Sequence, residues 1–363
     1  MNTSQLKYLL ATTYVPGIGV INQRKIHKSL NVKELWELSE KELNELFSFN
    51  QKIISHFLSS EFLELAEKEI EFCQKSDIQI LTIDSEKYPQ KLKECSDSPL
   101  ILFKKGNYEF DKKLHIAVVG TRKITNYGKE FIREFIEKLS GQNLSIISGL
   151  AFGCDIEAHR NCLEKDIVNT AVLAHSLNRV SPASHTKEAR EITQNGALVT
   201  EYSSFHAIEP RNFILRNRII AGLSDAVIIV ESDKKGGSLI TATYANSYNR
   251  EVFAVPGRIK DKFSLGCNYL IQSHQAYMLR NAEDLLDYFN LKVQSLPKQR
   301  ELFIDLEPNE QLIYDYLKSK GRKQIDEMAL ELSLPVFRLN STLVNLELKG
   351  VIRPLAGKFF ELT

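Results

Sequence analysis

Leu114–Gly120 reads LHIAVVG and is followed by Thr121-Arg122; Leu144–Gly149 reads LSIISG and is followed by LAFGCD. Val227–Glu231 reads VIIVE and is followed by Lys234-Lys235-Gly236-Gly237-Ser238. Each stretch is a short apolar run, a glycine-bearing turn and the start of a helical pattern. Such a turn aims free backbone N–H groups and a positive helix end outward, the geometry that receives phosphate. Several such turns on one sheet edge make a surface that holds phosphate repeatedly, as along a nucleic-acid strand.

Working outward, residues 75–290 alternate apolar runs with helical stretches. The runs are IQILTI, HIAVVG, LSIISG, IVNTAVLA, ALVTEY, AVIIVE and EVFAVPG. This pattern predicts an α/β fold, a Rossmann-like and mostly parallel sheet covered on both faces. Tyr88-Pro89 and Ser98-Pro99 interrupt the chain after the first run, which is therefore read as an edge addition. Residues 1–72 are helical by period and form an N-terminal domain. Within it, Val15-Pro16-Gly17-Ile18-Gly19-Val20 joins two helical patterns, like a SAM or helix-hairpin-helix turn. Residues 291–307 read as a linker. Residues 308–363 predict three helices and a hairpin around Ala356-Gly357, the plan of a winged helix.

The bulk properties set limits. The chain has 363 residues, 47 basic and 46 acidic, for a net charge of +1, so general polybasic attraction to DNA or membrane is excluded. Binding must come from local clusters. The five cysteines form no CxxC pair, so zinc-ligand spacing is absent and reduced thiols are expected. The N-terminus lacks a signal-peptide pattern and no span approaches membrane length, giving the expectation of a cytoplasmic protein without a membrane.

Among the motifs, Arg211-Asn212-Phe213-Ile214-Leu215-Arg216-Asn217-Arg218 places three guanidiniums with almost no compensating acid. That is a local phosphate-binding density. Gly236-Gly237-Ser238 at a helix start is an anion nest with a hydroxyl. No Walker A pattern occurs, and Ala242, Thr243 and Tyr244 stand where nucleotide hydrolases with a similar loop need a Glu. Asp155 and His159 share a helix face, and the pair is read as a cap plus a packed histidine. His185, Lys187 and Arg190 add positive charge after the fourth run.

Together IAVVGTR, TNYG, ISGLAFGCDIEAH, ALVTEY, RNRIIAGLSDAVIIVE, GGSLITATYA, REVFAVPG and GCNYLI resemble the DNA-processing protein A (DprA/Smf) family, in order and spacing. The resemblance implies a protein, not an enzyme, that binds single-stranded DNA and loads the RecA recombinase onto it during natural transformation. It implies a homodimer and neither cofactor nor metal. Carried over by position, the DNA site comprises Gly120, Thr121, Arg122, Gly149, Lys187, Arg216, Asn217, Arg218, Gly236, Gly237 and Ser238. Ser181-Pro182 departs from the family's Tyr-Pro, and Phe213-Ile214 from its Phe-Pro. Two alternatives stay open: a nucleotide-binding or nucleotide-hydrolysing Rossmann-like enzyme, and a winged-helix transcription regulator.

Overall fold

Six helices precede the first strand in the computed structural model, which describes residues 3–47, 49–110, 113–291, 306–355 and 357–362. They are α1 (Thr3–Tyr14), α2 (Val20–Ser29), α3 (Val32–Leu35), α4 (Glu40–Phe47), α5 (Gln51–Phe57) and α6 (Glu61–Lys75). The Gly17-Ile18-Gly19 turn does join two helices, with Gly17 at φ 89°. Trp36 Nε1 donates to Thr12 Oγ1 at 3.0 Å inside this group. One apolar core runs from Leu9, Leu35 and Phe57 through Leu81 and Leu102 into the sheet. Glu69 of α6 fastens the junction: its carboxylate accepts from the Ser204 backbone N–H at 3.0 Å and from the Ser204 hydroxyl.

The sheet has nine strands: β1 (Gln79–Thr82), β2 (Ile101–Lys105), β3 (Leu114–Val119), β4 (Leu144–Ser148), β5 (Asn169–Val172), β6 (Ala197–Thr200), β7 (Ala226–Ile229), β8 (Glu251–Ala254) and β9 (Tyr277–Met278). Their spatial order is β1-β2-β6-β5-β4-β3-β7-β8-β9. From β6 to β9 all neighbours are parallel, while β1 and β2 add antiparallel strands at one edge. All seven apolar runs are strands, and IQILTI is the edge strand. Two strands escaped the sequence reading. β2 follows Pro99 and ends in two lysines, although Lys104 is buried; β9 is only two residues long.

The connecting helices are α7 (Gln90–Glu94), α8 (Asn126–Leu139), α9 (Cys154–Glu164), α10 (Thr186–Asn195), α11 (Pro210–Leu215), α12 (Asn217–Leu223), α13 (Gly237–Ser247), α14 (Leu265–Gln272) and α15 (Ala282–Tyr288). Side chains of a strand alternate between faces. Ala117, Val119, Val227 and Ile229 therefore pack with α12, α13 and α14. Ile116, Val118, Ala226 and Ile228 pack with α8, α9 and α15. Both faces are covered, which explains runs without a polar alternation.

A second unit starts at Ser295 and has its own core. It contains α16 (Pro308–Lys320), α17 (Ile325–Glu331), α18 (Val336–Leu348) and a three-stranded sheet of β10 (Lys323–Gln324), β11 (Ile352–Leu355) and β12 (Phe359–Leu362). This is the expected winged helix. The linker assigned to 291–307 lies mostly outside the described residues, as does Ala356 of the hairpin turn.

Separate cores make a prediction. Leu343→Ala opens a cavity against Met328 and Leu317 in the second unit and should cost it about 2–5 kcal/mol. Trp36, the single tryptophan, reports the first unit. In a urea titration its fluorescence transition should stay in place while part of the far-UV circular-dichroism transition moves to lower urea. Equal movement of both signals would contradict independent cores.

Candidate nucleic-acid interface

The chain runs from β3 outward through β4, β5 and β6, then returns across β3 to β7. Neighbouring strands β3 and β7 thus send their following segments in opposite directions. Such a reversal opens a crevice at the carboxyl ends of the strands, where α/β proteins bind ligands. A cavity of about 290 Å³ lies there, lined from β3 by Gly120, Thr121 and Arg122 and from β7 by Ser232, Asp233, Gly236, Gly237 and Ser238. Arg216, Asn217, Phe213 and Asp155 complete the wall.

Each part is held by backbone bonding. The Thr121 N–H donates to Glu231 O at 2.8 Å, and the Thr121 hydroxyl accepts from the Lys123 N–H at 3.1 Å. These bonds fix the turn and leave the Arg122 side chain in solvent, its guanidinium 5.2 Å from the Phe213 ring centre. Gly153 takes φ 79° so that Cys154 can donate to Thr121 O at 3.1 Å. The start of α13 has no side-chain cap at Gly236, so its first amides remain open to an anion. Ser238 Oγ bonds Ser232 Oγ at 2.9 Å beneath that turn.

Arg216 forms the floor. It sits between α11 and α12, is 4% exposed, and donates from Nη1 to Gly149 O at 2.7 Å and to Val172 O. Its Nε donates to Asn217 Oδ1 at 3.2 Å, and Asn217 Nδ2 reaches Gly237 O at 3.4 Å. Gly149 is required here, because a Cβ would overlap the guanidinium. Burial pushes the Asp155 carboxyl above its usual range, and the positive charge of Arg216 opposes that shift. Burial lowers the Arg216 pKa, with Asp155 acting the other way, but a guanidinium stays charged in proteins. A cation held mainly by carbonyl oxygens favours an incoming anion.

A model of the family described as DNA recombination-mediator protein A matches residues 79–290. The chain belongs to that family. A model of the DprA winged helix domain matches residues 300–358. Among curated members of the DNA recombination-mediator protein A family, Protein Smf of Escherichia coli is 34% identical over 312 residues, covering 83% of each chain. DNA processing protein DprA of Streptococcus pneumoniae is 37% identical over 202 residues, covering 56% of this chain and 71% of that one. The crystal structure of the Streptococcus pneumoniae protein superposes with a TM-score of 0.59 at 28% identity, covering 77% of this chain and 97% of that one. DNA processing protein A of Helicobacter pylori, whose structure concerns its single-stranded DNA binding mode, gives a TM-score of 0.53 at 30% identity, covering 59% of this chain and 95% of that one.

In this member of the DNA recombination-mediator protein A family, the cavity gathers Gly120, Thr121, Arg122, Arg216, Asn217, Gly236, Gly237 and Ser238. Gly149 adjoins it through Arg216. Lys187 does not line it; its side chain is 82% exposed and 3.8 Å from Glu191, one turn along α10. The expected patch of three guanidiniums is not formed. Arg218 points away from the cavity and is buried against Glu201, while Arg211 is exposed on α11. Arg216 keeps helical backbone angles between α11 and α12, so Arg218, two residues on, faces the opposite side. His185 is likewise no surface charge: it is buried and bonds Leu150 O at 2.9 Å. Asp155 is not the helix cap, which is Gly153; from the first turn of α9 it accepts from the Ala151 N–H of the preceding loop at 3.4 Å. Sequence reasoning missed Asp155, Phe213, Ser232 and Asp233 as cavity residues. The clue was their place beside the glycine turns.

His159 is fully buried with Nδ1 2.8 Å from Asn169 Oδ1, and burial pushes its pKa down to about 4. The folded form thus resists a proton that the unfolded chain accepts near pH 6.5. Stability is full above pH 6.5 and falls toward pH 4 by about 1.4 kcal/mol per unit from this group. His159→Gln keeps a polar partner for Asn169 and should flatten that part of the decline, read as urea midpoints at pH 7 and pH 5. An unchanged slope would mean that His159 titrates normally.

Proposed function

We propose that this chain binds single-stranded DNA along the carboxyl edge of its sheet and passes the strand to the RecA recombinase, acting as a homodimer. One observation carries the proposal: at the switch point, Arg122, the buried Arg216 and the uncapped start of α13 converge on one cavity. These groups suit phosphate. The cavity is too small for a duplex, and Phe213 and the exposed Phe152 offer aromatic faces nearby. The transfer to RecA rests on membership of a family of recombination mediators.

The winged helix supports a partner-binding role over reading of a duplex. Helix α18 carries Arg338 as its sole basic residue, while Phe337, Val344 and Leu348 are 72%, 50% and 81% exposed. A duplex-reading helix presents basic and polar side chains to phosphates and base edges. Preference for a defined duplex over single strands would favour the regulator instead.

Arg122 is exposed and makes no bond on which the fold depends. Arg122→Ala should therefore weaken oligo(dT) binding by about tenfold, and the salt slope should fall by about 0.7 for one lost phosphate contact. Fluorescence anisotropy at several salt concentrations measures both, with thermal unfolding as the control for folding. Unchanged affinity would overturn the site. Light scattering on the same samples tests the homodimer.

A further inference from the structure

A second recess lies across the same loops. It has a volume of about 1050 Å³ and is bordered by Thr125 and Tyr127 at the start of α8 and by Arg258, Lys260 and Lys262 in the segment between β8 and α14. The backbone ridge between the two cavities is thin. Arg122 lines the first, and Thr125, three residues on, lines the second. Ser232 lines the first, and Glu231 the second. Lys262 Nζ reaches the Asp233 carboxylate of the first cavity at 3.4 Å.

The recess carries cations without a structural task. Arg258 and Lys260 are exposed, and Ile259 between them is 85% exposed. The acids here are Asp261 and Glu231. Glu231 is buried, and its oxygens accept from the Thr125 N–H at 2.9 Å and the Thr125 hydroxyl at 2.5 Å, so it braces the ridge rather than facing a ligand. Tyr127 donates its hydroxyl to Pro256 O at 2.6 Å while its ring stays 47% exposed. A ring tied at one end offers a fixed face for a base at little entropic cost. Exposed Lys123 stands on the ridge between the two sites.

We propose that this recess is a second subsite for single-stranded DNA, where Arg258 and Lys260 hold phosphates and Tyr127 stacks a base. A strand seated in the switch-point cavity then continues over Lys123 into it. The inference rests on the single-strand reading above.

The test uses the full chain and fluorescein-labelled oligo(dT) of about 6 and about 20 nucleotides, a range that separates one site from two. The Arg258→Ala/Lys260→Ala variant should bind the long strand about tenfold more weakly, with a salt slope lower by about 1.4 for two phosphates, and the short strand within twofold of the parent. Tyr127→Leu should weaken the long strand about fivefold or more. Arg258→Glu/Lys260→Glu, altering only exposed side chains, should deepen the loss without moving the thermal midpoint. Unchanged affinity at both lengths, or equal loss at both, overturns the second subsite. If Arg122→Ala loses affinity while the Arg258/Lys260 variants do not, the second subsite fails alone. If the parent binds neither strand, or Arg122→Ala binds as the parent does, both readings fail.

Discussion

A buried guanidinium at the point where the sheet reverses sets the terms for the rest of the site. Arg216 cannot shed its charge, and leaving that charge unpartnered inside the protein costs several kcal/mol. Its partners are the Gly149 and Val172 carbonyls, at the ends of β4 and β5. Carbonyls satisfy its donors without cancelling its charge. The carboxylate coupled to it, Asp155, is itself pushed toward the neutral form by burial. The Arg216 charge thus lies inside the protein, where little water screens it.

That constraint propagates outward. Gly149 has no side chain because the guanidinium occupies the space. Arg216 joins α11 to α12 with helical backbone angles, so Arg218, two residues on, projects to the opposite side and meets Glu201 instead of the cavity. Asn217 then joins Arg216 to the turn at Gly237. Glu231 does the corresponding work on the far side, holding the Thr125 end of the β3–α8 loop while its own carbonyl takes the Thr121 N–H. The loops that line the cavity are thus bonded to one another, so an anion meets amides already in position.

Much of this was legible in the amino-acid sequence. Runs such as HIAVVG and VIIVE are apolar without alternation because both faces are covered, and that pattern marks a parallel sheet. The glycine turns after β3 and β7 also marked the cavity, since the spacing of glycine and helix start is a local property. Arginine roles were not legible. Arg216 and Arg218 are two residues apart and chemically identical, yet one faces the cavity and the other a buried carboxylate. Which is which depends on Glu201, a residue just after β6, and on which side of the helix the sheet lies, neither of which the local sequence signals. The lysine-ended β2 was missed for a related reason, since its burial comes from neighbours distant in sequence, while β9 is an exposed edge of only two residues, too short to show an alternation.

The balance of charge bears on how such a site reaches useful affinity. With 47 basic and 46 acidic residues, the chain has no general field to draw nucleic acid. A cavity of about 290 Å³ accepts little more than one nucleotide unit, and one or two neutralised phosphates give weak, salt-sensitive binding. Affinity must then come from joining short sites along one strand. Exposed Lys123, Lys234 and Lys235 lie on the loops that border the cavity, where a strand leaving it would pass. In the proposed homodimer a second copy on the same strand would multiply the effect, because a tethered second site sees a high effective concentration. On the proposed single-strand reading, such joining would favour long strands over short fragments, recognised by length and flexibility rather than by bases.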